Sequence, residues 1–168
     1  MGTQQIALPW RAVVERAVAE YRAALGDDLV AIAVFGSVAR GEATTESDLD
    51  VYIVTRVPVP ILLDPRLTRV RKGIRESPEY RAAASEGYRP APMPIRHTVE
   101  ELARHPWILL DISHHGVIVY DPDGILAREL EAVRRRLVEL GSKRIELPDG
   151  TWYWDLKPDW RPGDVVEL

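Results

Sequence analysis

Cysteine is absent from the 168 residues, which excludes disulfides, thiolate nucleophiles and zinc–thiolate centres. Asparagine is absent as well; glutamine occurs only at Gln4 and Gln5, and lysine only at Lys72, Lys143 and Lys157. A chain poor in thermolabile residues and rich in charge reads as one from a heat-adapted source. No apolar run reaches the roughly 20 residues that a membrane-crossing helix needs. The first residues show no basic cluster followed by an apolar stretch, so no secretory leader is read there. Ile6 stands where N-terminal acylation wants Ser or Thr. The expectation is a cytoplasmic protein with no membrane partner.

What is present suits a soluble globular chain: 46% apolar and 29% charged residues. The length is one domain's worth. It is expected to form a single unit over residues 1–168, with a core over about 9–121 and a C-terminal helix and hairpin extension over about 122–168. The net charge of −4 hides an asymmetry. Residues 56–96 hold nine basic side chains against four acidic ones, so the remainder is strongly acidic. Such a segment is either a polyanion-binding surface or a solvated helix face.

Apolar residues at Trp10, Val13, Val14, Ala17, Val18, Tyr21 and Leu25 recur at helical spacing, and Gly26 ends the run. Leu29 to Phe35 is a continuous apolar run too short for a helix, and it reads as a strand covered on both faces. Leu49 to Val54 reads as a second strand, hairpin-like with the first across a turn-rich connection. Pro58, Pro60 and Pro65 break the chain before a basic helix from about Arg66 to Arg75. The segment 91–98 reads as an edge strand, because its prolines cannot donate to a central ladder. Short helices over 99–104 and 107–114, a strand at 117–120 and a long amphipathic helix carrying Leu126, Leu130, Val133, Leu137 and Leu140 follow. In that helix Glu131, Arg135 and Glu139 form a solvated ladder at spacing four. Residues 144–156 read as a hairpin around Pro148-Asp149-Gly150.

The chemistry concentrates in residues 34–54. Asp48 and Asp50, two apart on a strand, point the same way, while Leu49, Val51 and Ile53 point into the core. Carboxylates held side by side repel unless a cation neutralises them, and oxygen-only ligation suits Mg²⁺ (or Mn²⁺) completed by substrate phosphates. Upstream, Gly36 and Ser37 close the first strand where a short helix can begin. Free amides there, the Ser37 hydroxyl and Arg40 one turn later make a seat for phosphates. Together they give the layout for phosphoryl or nucleotidyl transfer.

The stretch GSVARGEATTESDLDVYIV resembles the signature of the minimal nucleotidyltransferases of the DNA polymerase beta superfamily: Gly-Ser, about ten residues, then Asp-x-Asp on a strand. The resemblance implies a mixed α+β nucleotidyltransferase fold, a small mixed sheet flanked by helices, here with a C-terminal β-hairpin extension similar to that of archaeal members. It implies that Gly36 and Ser37 hold the triphosphate of ATP or another NTP, and that Asp48 and Asp50 hold the metal. It also implies transfer of a nucleoside monophosphate to a hydroxyl. The acceptor is read as a HEPN-type toxin protein, with this chain as its antitoxin; RNA and a non-catalytic binding module are the alternatives. The superfamily usually adds a third carboxylate from a later strand, yet the corresponding stretch, 91–98, contains no acid. Glu42, Glu46 and Asp111 are the candidate substitutes, and weak or acceptor-dependent activity is expected.

Elsewhere, His114 and His115 are expected to diverge at a helix end without a metal. His97 and His105 lack ligand spacing. Trp152 and Trp154 share a strand face with Leu156, expected to be a core or homodimer-forming face, with base stacking as the alternative. The basic helix is a candidate border of the active-site cleft.

Overall fold

The computed structural model describes residues 2–58 and 64–168; Pro60 of the expected proline break lies outside the described residues. Four strands form one sheet in the order β3-β2-β1-β4, with β1 at Leu29–Val34, β2 at Leu49–Thr55, β3 at Pro92–Thr98 and β4 at Val117–Tyr120. β1 pairs antiparallel with both β2 and β4, and β2 pairs parallel with β3. The proline-bearing β3 is at a sheet edge, where missing N–H groups cost no ladder bond.

All six residues of β1 are buried, as a strand covered on both faces requires. On β2, the period of two sends Leu49, Val51 and Ile53 into one apolar cluster and Tyr52 and Val54 into another. The first cluster is covered by α1 (Trp10–Leu25), α3 (Pro65–Arg75) and Ala83 of α4 (Pro78–Ser85). The second is covered by α5 (Val99–Leu102), α6 (Ile108–His115) and α7 (Ile125–Glu139). A two-residue-period strand between two helix layers explains the near-continuous apolar runs.

Helix α4 adds to the elements expected from the sequence, although its start carries Ser77 as N-cap, accepting from the Tyr80 N–H at 3.1 Å, and Pro78 in the first turn. On α7 the surface ion pairs run Arg134–Glu131 and Arg136–Glu139 at spacing three, not through Arg135 as expected. The short helix α2 (Gly36–Arg40) follows β1 directly, and the antiparallel hairpin β5 (Lys143–Glu146) and β6 (Trp152–Asp155) forms a separate two-stranded sheet. Among the described residues, no helix is long and apolar enough to cross a membrane.

Candidate functional site

The end of β1 and the start of β2 are tied together by the Phe35 N–H donating to the Asp50 carbonyl at 3.1 Å. The turn that follows Phe35 places Gly36 at φ +67°, a left-handed conformation that only glycine adopts cheaply. A Cβ built on Gly36 would collide with the Asp50 carboxylate. The absent side chain therefore brings backbone and acid into direct apposition. Ser37 is half-buried in the single turn of α2, and its carbonyl accepts the Glu42 N–H at 2.9 Å. Gly41, at φ +74°, ends that turn. Its connection to β2 is held by Thr44 and Ser47, the Thr44 N–H donating to the Ser47 hydroxyl at 2.9 Å.

Asp48 is exposed just before β2, and Asp50 is half-buried on the face that Tyr52 and Val54 continue into the second core. Burial, and then the charge of Asp48, raise the Asp50 carboxyl above its ordinary value, with Arg40 opposing. The donor set fits one hard divalent cation: two carboxylates, Asp50 on β2 and Asp48 just before it, the former desolvated beside a like charge that a cation would offset. Among the described residues, no group of three or more His, Cys, Asp or Glu side chains is placed to hold a metal.

The position beside Asp50 on β3 is Met93, its partner in the parallel register, and the Met93 side chain is half exposed. A thioether, not a carboxylate, thus stands in register with Asp50 on β3. The candidate substitutes are differently engaged. Glu42 accepts from Arg40 Nε at 2.6 Å, which holds its carboxyl below the ordinary value. Asp111 accepts the indole N–H groups of Trp152 and Trp154 at 3.1 and 3.3 Å. Glu46 is exposed on the connection between α2 and β2.

Arg40, besides its bond to Glu42, lies over the Trp152 ring, 4.7 Å from the centroid. Arg144 lies 4.3 Å from the same centroid. The face carrying Trp152 and Trp154 is therefore turned onto α6 and the end of α2, neither a free stacking platform nor a free dimer face. The two histidines do not diverge: their ring centroids are 4.2 Å apart, edge to face, and His114 also meets Trp154. Burial, then His114, Arg144 and Arg40, push the His115 imidazole below its ordinary value. Sequence reasoning misses Trp152, Arg144 and His115 as neighbours of Arg40, because contacts between segments so far apart in the chain leave no local pattern. The basic helix α3 packs through Leu67, Val70 and Ile74 into the first cluster, across the sheet from the Asp50 face.

A family model described as "Nucleotidyltransferase domain" matches residues 15–119. No curated protein matches the chain. Among solved structures, the chain is similar to the spectinomycin adenyltransferase AAD(9) from Enterococcus faecialis, solved with ATP and spectinomycin. The identity is 13% and the TM-score 0.50, over 77% of this chain and 66% of that one. It is also similar to a toxin–antitoxin structure with AMP-PNP, at 11% identity and TM-score 0.44, over 76% of this chain and 91% of that one.

Proposed function

The chain belongs to the nucleotidyltransferase domain family, and on that premise we propose that it transfers a nucleoside monophosphate from ATP, or another NTP, to a hydroxyl acceptor. The observation that carries the reading is the contact of Gly36 with Asp50, where a left-handed glycine lays open backbone against a strand carboxylate. Asp48 and Asp50 would hold Mg²⁺ or Mn²⁺, which supplies charge neutralisation at the transferring phosphorus. Gly36 gives the phosphates access to the backbone, Ser37 donates its hydroxyl, and Arg40 offsets their charge. Calorimetry with ATP, with and without Mg²⁺, tests this. Metal-dependent binding is expected in the wild type and lost in the Asp48→Ala, Asp50→Ala double variant; equal binding by both proteins defeats the assignment.

For the acceptor, the signature's resemblance to minimal nucleotidyltransferases supports a protein hydroxyl on a HEPN-type partner, with this chain as antitoxin. Co-purification with the product of a neighbouring short helical reading frame, followed by intact-mass analysis with ATP, should show nucleotide on that partner. Nucleotide added to an RNA 3′ end with no protein labelled would select the RNA reading instead. Met93 beside Asp50 favours one further reading, a nucleotide-binding module that does not catalyse. Metal-dependent binding without transfer to any acceptor would select it.

A further inference from the structure

We propose that Arg144, on β5, is a further phosphate-binding residue of this site, paired with Arg40 across Trp152 and directed at the terminal phosphates of the triphosphate. This rests on the nucleotidyl-transfer reading. Arg144 lies outside the matched residues 15–119, in the hairpin that follows α7. It pairs in register with Trp154, which makes Trp152 its diagonal neighbour on β6. Its guanidinium lies 4.3 Å from the Trp152 centroid and that of Arg40 lies 4.7 Å from it, so one indole sets the position of both cations. The indole is itself fixed by its N–H donating to Asp111 at 3.1 Å.

The two arginines differ in what neutralises them. Arg40 has Glu42, whereas Arg144 has no carboxylate partner among the described residues. Its Nε is buried without an acceptor. A buried donor left unsatisfied is costly, and stacking on an aromatic ring does not satisfy it. The charged and titratable groups around it are Arg40, His114 and His115 against Glu42, Asp111 and Glu146, the register partner of Trp152, and none of these carboxylates accepts a hydrogen bond from Arg144. This corner lacks an acceptor for the Arg144 Nε. It lies beside Arg40, whose charge is felt at Asp50. A guanidinium fork matches two phosphate oxygens, so a phosphoryl group supplies the missing acceptor.

The test is titration of the full chain, with Mg²⁺, against ATP, AMP and inorganic pyrophosphate, for the wild type, Arg144→Gln and Arg144→Lys. Arg144→Gln should weaken ATP and pyrophosphate by about tenfold, the worth of one charge-assisted hydrogen bond, and leave AMP unchanged; Lys should recover part of the loss. Unchanged pyrophosphate and ATP affinity in Arg144→Gln overturns the proposal, as does an equal loss for AMP. Should that variant not fold, tryptophan emission decides. Pyrophosphate should shift it in the wild type and much less in Trp152→Phe, and an equal shift in both overturns the proposal. Wild-type protein that binds no ATP removes the nucleotide reading itself, and this proposal with it. Normal wild-type binding that depends on Asp48 and Asp50 but ignores Arg144 removes this proposal alone.

Discussion

At the level of single residues, two left-handed glycines bound the same short helix and answer to different constraints. A Cβ on Gly41 would meet nothing within 4 Å, whereas a Cβ on Gly36 meets the Asp50 carboxylate. Gly41→Ala should therefore cost only the backbone strain of a left-handed alanine, about 1–2 kcal/mol, with ATP binding retained. Gly36→Ala adds displacement of Asp50 and should abolish metal-dependent ATP binding. Thermal melting with calorimetry separates the two, and full binding by Gly36→Ala would sink the account of that turn. The missing acid is also a residue-scale matter. Met93→Asp puts a carboxylate in register with Asp50 on an exposed position, so Mg²⁺ affinity should rise by about tenfold in a direct metal titration. No gain would mean that the β3 side chain at this register does not reach the pair.

At the level of elements, the local signals are legible in the sequence and the pairings between distant ones are not. A continuous apolar run announces β1, and Gly-Ser followed by Asp-x-Asp announces the turn and the acid pair, because both depend on neighbours in the chain. Helix α4 escapes notice since only Ala83 of its residues is buried, leaving a cap signal with almost no apolar stripe behind it. Asp111 looks like a spare carboxylate, and nothing near it in sequence shows that two indoles from the last hairpin claim it. The entry into α3 reads as a proline break, and Asp64 before Pro65 is a cap signal, but the two arginines that converge on Asp64 leave no local pattern. Asp64 is the N-cap, accepting the Arg66 N–H at 3.0 Å, and it is also the counter-ion of Arg66 and of buried Arg96 at 2.8 and 2.7 Å. Asp64→Ala strands the Arg96 charge and should cost about 3–5 kcal/mol, a Tm loss of roughly 10 °C. Asp64→Asn keeps the cap and should recover about 1 kcal/mol of that. The hydrogen bonds from Arg66, with those from Arg96, hold the Asp64 carboxyl well below its ordinary 3.8. A depressed folded value means the stabilisation is complete above that ordinary value and fades as pH falls below it. Acid unfolding should thus begin at higher pH in Asp64→Asn, and the stability gap between the two proteins should narrow as pH falls below 3.8; a gap independent of pH would show that acid does not break this network.

At the level of the whole molecule, the two apolar clusters are complete before the hairpin begins, for the last buried apolar side chain among the described residues is Leu137 on α7. Beyond it, Trp154, Leu156 and Leu168 are only partly buried against the second cluster. The hairpin's polar attachments to the rest of the chain, in contrast, run to the side of the acid pair, through Asp111 and Arg40. An extension that adds little core and lies beside the proposed phosphate site serves that site more than the fold. A chain ended at Gly141 should accordingly still melt in one cooperative step, destabilised by about 2–4 kcal/mol from the lost partial burial of Trp154 and Leu156. Its pyrophosphate affinity should fall at least as far as that of Arg144→Gln, while Mg²⁺ binding at Asp48 and Asp50 persists. Isothermal calorimetry and differential scanning measure the three quantities on one sample. Loss of the cooperative transition would make the hairpin a structural element first, and unchanged pyrophosphate binding would detach it from the site.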